Sequence, residues 1–325
     1  MQESVEKKKK MNLAYLISAH TDAPQLKRLI ESLHPDAQFF VHIDKKVDIN
    51  QFTSIIRGYN IHFIENRIDV RWGTILEVEY QMALLKEAID FPMYFDKIFF
   101  LSGMDYPLWS NEHILDFLDH NRNKEIIQGI CMDTEFINGK QRMLYSVSRP
   151  FVDNKRLSNT WNMRLGVLLR KYRKFKGKRK KLEFVVTPDV GCHPSVLPQP
   201  ERWKLYKGSA WWCISEELAE YVYGVYTKCP EVKEYFKDSF GSAETLIQTI
   251  VFNTHEWASR AITTHGAYPG LPALTPLHYI VYDPVIKVMG EQDYDALIGS
   301  GKMFSRKFVT GKSDKLVEML KDGRY

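Results

Sequence analysis

Long hydrophobic runs are missing from this 325-residue chain. No apolar stretch reaches the roughly 18 residues that a bilayer-crossing helix needs. Cysteine is sparse. Cys131, Cys192, Cys213 and Cys229 are widely spaced with no CxxC pair, a pattern that suits neither a zinc site nor a dense disulfide framework, so a reducing cytoplasm is the expected location. HExxH, the P-loop, GxGxxG and the GxSxG elbow are all absent, which removes the usual sequence support for zinc peptidases, P-loop NTPases, dinucleotide enzymes and α/β-hydrolases. There is no internal repeat and no clean linker. The basic run Lys7 to Lys10 precedes only a short apolar segment, Leu13 to Ala19. It is expected to be a disordered, solvated tail (residues 1–11) ahead of a first strand, not a signal peptide.

What is present describes a globular protein with a substantial core: 44% hydrophobic and 13% aromatic residues. The net charge of +5 is local. Residues 170–181 (RKYRKFKGKRKK) hold nine Lys and Arg, and without them 36 basic residues face 40 acidic ones. Such a block suits anionic lipid, a phosphate-bearing acceptor or nucleic acid, but its commonest role is a solvated loop. Nucleic-acid binders spread their basic residues over a folded face and carry a recognition motif, and neither is found here, so nucleic acid is not an expected partner.

The stretch Lys97-Ile-Phe-Phe-Leu-Ser-Gly-Met-Asp-Tyr-Pro-Leu108 organises the rest. Ile98 to Leu101 is continuously apolar, as in a strand buried on both faces. It breaks at Ser102-Gly103, where Gly relaxes the backbone, and runs into Asp105-Tyr106-Pro107. A buried strand ending in a carboxylate-bearing loop is where open α/β sheets place ligands. Strands are also predicted at Leu13–Ala19, Phe39–Asp44, Ile61–Glu65, Glu125–Cys131 and Lys207–Ser215. Helices are predicted after Asp22, over 74–89, from Asn111, after Ser215 and over 245–253, with a short amphipathic one at the C-terminus. This βα alternation predicts an α/β fold with a mixed, mostly parallel central sheet and helices on both faces. Residues 135–205 resist such treatment: they hold the basic block and Pro188, Pro194, Pro198 and Pro200.

Three carboxylates fall at element ends: Asp44, Asp105 and Glu244. Glu244 follows Gly241-Ser-Ala at a helix start, where a partly desolvated carboxylate can act as a general base and where, equally, it can simply complement the helix N-terminus. Arg306-Lys307, between Phe304 and Phe308, could neutralise a diphosphate or be an ordinary surface pair. Trp211 and Trp212 could stack on a sugar face or be core aromatics. Asp293-Tyr-Asp295 could bridge a metal to a nucleotide diphosphate but suits a helix start better.

In order along the chain, these pieces resemble the core-2/I-branching N-acetylglucosaminyltransferase family, which includes the peptide O-xylosyltransferases. The matching stretches are Ala14–His20, Phe40–Lys46, Arg71-Trp-Gly73, Phe100–Leu108, Gly208-Ser-Ala-Trp-Trp212, Ser242-Ala-Glu244 and Phe304–Phe308. The resemblance implies a single GT-A type nucleotide-sugar transferase domain over 12–325, with 135–205 as an irregular acceptor-side insertion. It also implies inverting transfer from a UDP-sugar, GlcNAc first among the sugars, without cofactor or metal. Glu244 would be the base. Asp44, with His20, Asp105 and His278, would lie on the nucleotide-sugar side, and Lys307 with Arg306 would hold the diphosphate. His278-Tyr-Ile280 stands where relatives commonly have Arg-Tyr-Ile, leaving Arg306 or Lys287 to compensate. Trp211, Trp212, Glu135 and Arg142 would meet the sugar or acceptor, a glycan or lipid-linked oligosaccharide. With a lipid-linked acceptor, the 170–181 block would hold a cytoplasmic enzyme at the inner membrane face. The alternative is a non-catalytic carbohydrate- or nucleotide-binding protein on the same scaffold.

Overall fold

A computed structural model describes residues 11–132, 203–237, 239, 241–282 and 285–323. Glu135, Arg142, Cys192, the Pro-rich stretch and the 170–181 block lie outside the described residues. The first half of the chain builds β1 (Leu13–Ala19), α1 (Ala23–Ser32), β2 (Gln38–Ile43), α2 (Asn50–Thr53), β3 (Ile61–Phe63), α3 (Leu76–Ile89), β4 (Lys97–Ser102), β5 (Asp105–Pro107) and α4 (Asn111–His120). The second half builds β6 (Gln128–Cys131), β7 (Tyr206–Gly208), β8 (Cys213–Ile214), α5 (Glu216–Lys228), α6 (Pro230–Phe236), α7 (Leu246–Phe252), α8 (His255–Arg260) and β9 (Ile262–Thr264). It closes with β10 (His278–Ile280), α9 (Tyr294–Ile298), β11 (Phe304–Arg306) and α10 (Asp314–Gly323).

The main sheet has the order β3-β2-β1-β4-β8, parallel except for β8. Its continuous apolar strands are buried on both faces, as expected of a sheet covered by helices on each side. Ala14, Leu16, Phe40, Ile98 and Phe100 pack on one face with residues of α3, α5 and α7. Tyr15, Ile17, Phe39, Val41, Phe99 and Leu101 pack on the other with α1, α4 and α10. There Tyr15 lies between Phe39 and Phe99, with ring centroids 5.5 and 4.8 Å away. Each such buried aromatic contributes about 1.5–3 kcal/mol.

The middle strand is β1, with β4 beside it. The chain winds outward from β1 through β2 to β3 and then returns to β4 on the other side of β1, so the carboxyl ends of β1 and β4 flank the point where strand order reverses. In open α/β sheets that crevice receives the ligand.

Two smaller sheets extend this end. β10-β11-β5 pairs β11 in parallel with β10 and antiparallel with β5. β7-β6-β9 pairs β6 antiparallel with β7 and in parallel with β9. The single strand expected over 207–215 is therefore two strands in different sheets. Gly208 shows why its position tolerates no side chain: a Cβ there would lie 2.0 Å from the Gln128 carbonyl oxygen. Asp105–Pro107, expected as loop, is a short strand, with Pro107 opposite Phe304 at the sheet edge. Gly103 keeps an ordinary φ; it is needed because a Cβ would lie 2.8 Å from that of Ala19.

Buried polar groups pin the elements. Lys97 and Glu125, each about 1% exposed at the side chain, are 3.8 Å apart. Glu125 accepts the Ser215 hydroxyl and N–H at 2.7 and 2.8 Å, while Ser215 Oγ accepts Leu218 N–H as the N-cap of α5. At the other end of the fold, Asp22 caps α1 by accepting Gln25 N–H and also accepts Thr310 N–H, tying α1 to the segment before α10.

Candidate active site

The candidate site lies at the carboxyl ends of β1, β2 and β4, and it has two parts, one around Asp44 and Arg306 and one around Glu244. In the first part, β1 ends at Ala19 and exposes His20, and Asp44 follows β2. The Asp44 carboxylate is largely buried. It accepts Lys46 N–H at 3.0 Å and pairs with Lys46 Nζ at 3.0 Å. Desolvation biases His20 toward the neutral imidazole. Asp44 pulls the other way, and Arg306, Lys307 and Lys46 add to the bias. These five groups thus share one electrostatic neighbourhood, assembled from β1, the β2 end and β11.

Arg306 is placed by a buried network. Asp105, with no exposed side-chain surface, accepts Arg306 Nη1 at 3.0 Å on one oxygen, and Ser102 N–H at 2.7 Å and His278 Nε2 at 3.0 Å on the other. Burial alone would push this carboxyl up, but His278, Arg306 and the Ser102 N–H together bring it below the usual range. The Trp211 ring lies 5.2 Å from the Arg306 guanidinium and 5.2 Å from His278. Asp105 and His278 therefore cannot touch a nucleotide as expected of them. Both are fully enclosed, and they orient Arg306. Trp212 is likewise corrected: it is 0% exposed and stacks on Phe100 at 5.4 Å, so it is a core residue and no sugar platform. Lys287 does not supply a second free cation, since it pairs with Asp293. Asp293 also accepts Gly290 N–H at 3.0 Å, capping the short turn Glu291–Asp293 that leads into α9, and Asp295 is exposed on α9. Lys307 is different. Among the described residues no carboxylate pairs with its partly buried side chain, while its backbone is held by Lys287 and Met289.

The second part, which bears Glu244, is built around Gly241, whose φ of 72° is left-handed and open to glycine at little cost. It starts a single helical turn, Ser242–Glu244, that leads into α7. The Ser242 hydroxyl is tied to the Phe236 and Ser239 carbonyls, at 3.2 and 3.1 Å. Glu244 remains partly exposed and is contacted by the ammonium of Lys207 from β7. Burial, with the Glu244 charge added, raises the Tyr268 phenol. The Arg71–Gly73 turn lies alongside, Gly73 accepting Gly241 N–H at 3.1 Å, and Trp72 on that turn keeps 50% of its surface exposed. Tyr80 on α3 joins the two parts. Its phenol is raised by burial and by Glu77, and it also senses Ser18, Arg306 and Asp44.

The candidate site thus combines a partly exposed carboxylate, Glu244, with a cation, Lys307, that no carboxylate among the described residues pairs with. The sequence profile of the core-2/I-branching enzymes matches residues 13–269. The chain belongs to this core-2/I-branching family. Similar proteins include human xylosyltransferase 2, 23% identical over 253 residues, which cover 75% of this chain and 25% of that protein. The Arabidopsis thaliana β-glucuronosyltransferases GlcAT14A and GlcAT14B are 24% and 23% identical over 95% and 91% of this chain and 63% and 62% of their own lengths. This chain spans about a quarter of the xylosyltransferase and just under two thirds of the plant enzymes.

Lys207, Glu77 and Tyr80 adjoin the candidate site and were not singled out by sequence inspection. Lys207 adjoins the Gly208-Ser-Ala-Trp-Trp stretch, which drew attention to the tryptophans instead. Glu77 and Tyr80 look like ordinary helix residues. A cavity of about 510 Å³ bordered by Met11, His34, Asp116 and Asp119 lies at the amino end of β1, away from this chemistry.

Proposed function

We propose that the chain is an inverting glycosyltransferase that moves a sugar from a UDP-sugar to a glycan hydroxyl, with Glu244 as general base. The observation that supports this is Glu244 itself, partly exposed and charge-paired with Lys207, in a loop backed by α3, whose Glu77 is acted on by Glu244 and whose Tyr80 is acted on by Arg306. The acceptor hydroxyl gives its proton to Glu244 as its oxygen bonds the anomeric carbon, and the bond from that carbon to the diphosphate breaks with the electron pair leaving on UDP. Such a displacement needs one base, on the face opposite the leaving group. Lys307 and Arg306 offset the charge growing on the leaving diphosphate, the work a divalent cation does in other sites. Asp44 and His20 line the nucleotide side. Trp72, in place of Trp212, offers an aromatic face on which a sugar ring can stack.

The donor panel follows from the relatives' names: UDP-xylose and UDP-glucuronate stand beside UDP-GlcNAc. Glu244→Gln keeps shape and removes the base. Its expected effect is a loss of turnover of about 1,000-fold, within the range a positioned general base supplies with its associated interactions, while UDP binding measured by calorimetry stays near wild type. A Glu244→Gln enzyme with most of its turnover would remove the base assignment.

A further inference from the structure

Three hydrogen bonds run from α3 to the base. Glu77 Oε2 accepts Gly73 N–H at 2.7 Å, the Gly73 carbonyl accepts Gly241 N–H at 3.1 Å, and the Gly241 carbonyl accepts Glu244 N–H at 3.1 Å. Gly73 and Gly241 both have left-handed φ, 80° and 72°. The loop bearing Glu244 is therefore hung on a second glycine turn, and that turn is anchored by one carboxyl, placed a single helical turn before Tyr80. We propose that Glu77 is a positioning residue for the Glu244 base: it fixes the base's loop through Gly73 and Gly241 and sets a second carboxyl behind the base. This rests on Glu244 being the base.

The charged and titratable groups around this carboxyl come from four elements. Tyr80 follows it on α3, and Glu244 faces it from the turn before α7. Lys207 on β7 holds Glu244, and Arg306 on β11 acts on Tyr80. Burial pushes the Glu77 carboxyl up to about 7, with the Gly73 N–H opposing and the Glu244 charge adding. Near neutrality Glu77 thus passes from neutral to anionic. Once it is anionic, the proton that Glu244 takes from the acceptor hydroxyl also relieves the repulsion between two facing carboxylates, so proton transfer is favoured.

The test is the pH dependence of kcat for wild type, Glu77→Gln and Glu77→Ala, with thermal melting and UDP affinity recorded for each. Wild-type kcat is expected to rise about tenfold through a step near neutral pH, the size of one unit of differential interaction. Glu77→Gln keeps an acceptor for Gly73 N–H. It should match the wild-type kcat under mildly acidic conditions, lack the rise, and melt progressively higher than wild type as pH climbs from 4.5 toward about 7. Glu77→Ala should lose kcat at every pH with UDP affinity unchanged. A Glu77→Gln profile that superimposes on wild type, a wild type without the step, or a fully active Glu77→Ala would overturn the proposal. If Glu244→Gln is itself active, the base assignment has failed. If Glu244→Gln is inactive while Glu77→Gln behaves as wild type, the role of Glu77 alone has failed.

Discussion

Asp105 and Glu77 are both desolvated carboxylates, yet their surroundings drive them in opposite directions, and the two should leave opposite marks on stability. Asp105 is lowered because His278, Arg306 and the Ser102 N–H outweigh its burial. A lowered carboxyl stabilises the fold above its ordinary titration range, and that contribution is lost as pH falls through the lowered value. Asp105→Asn should therefore destabilise by about 3–5 kcal/mol at neutral pH, the range for removing one member of a buried ion pair. The difference from wild type should shrink in acid, as chemical denaturation across pH would show. Glu77 is raised, so its contribution is present below the ordinary carboxylate value of 4.5 and disappears as pH climbs toward about 7. Glu77→Gln should therefore gain stability relative to wild type over that interval, which melting curves at each pH can check.

At the scale of elements, the sequence was informative wherever both faces of a strand are buried. Leu13–Ala19 matches β1 residue for residue, and 97–102 appears as β4, because continuous apolar runs of that length have no other place in a βα alternation. The carboxylate-ended strands and the turn at Ser242–Glu244 were legible for the same reason: they interrupt such runs. The short strands were not. β5, β7 and β11 span three residues each and exist through pairing with distant partners, which local pattern does not encode. That is why Asp105 and His278 looked like ligand contacts: nothing local shows that they face one another across 173 residues. The hydrogen-bonded path from Glu77 to Glu244 is hidden likewise. Gly208 gives the element-scale test. Gly208→Ala forces a Cβ onto the Gln128 carbonyl, so β6 and β7 must separate. A loss of roughly 1–3 kcal/mol, typical of overpacking, is expected in the denaturation midpoint, together with a fall in turnover because Lys207 moves with the strand.

At the scale of the molecule, the topology supplies the two parts of the candidate site from distant stretches of the chain. β1 and β4 deliver the strand ends, β11 brings Arg306 and Lys307 from the last part of the chain, and α3 backs the base loop. Family membership accounts for the scaffold, while relatives named for xylosyl and glucuronosyl transfer leave the sugar to be read by experiment. The most direct measurement is thermal stability in EDTA with UDP, UDP-GlcNAc, UDP-xylose and UDP-glucuronate in turn. A ligand held at about 100 times its dissociation constant adds about 2.7 kcal/mol. Stabilisation by UDP and by one of these sugars in EDTA, weakened in Lys307→Ala, is the expected result and names the donor. No stabilisation by any of them in EDTA would contradict a metal-free UDP-sugar site.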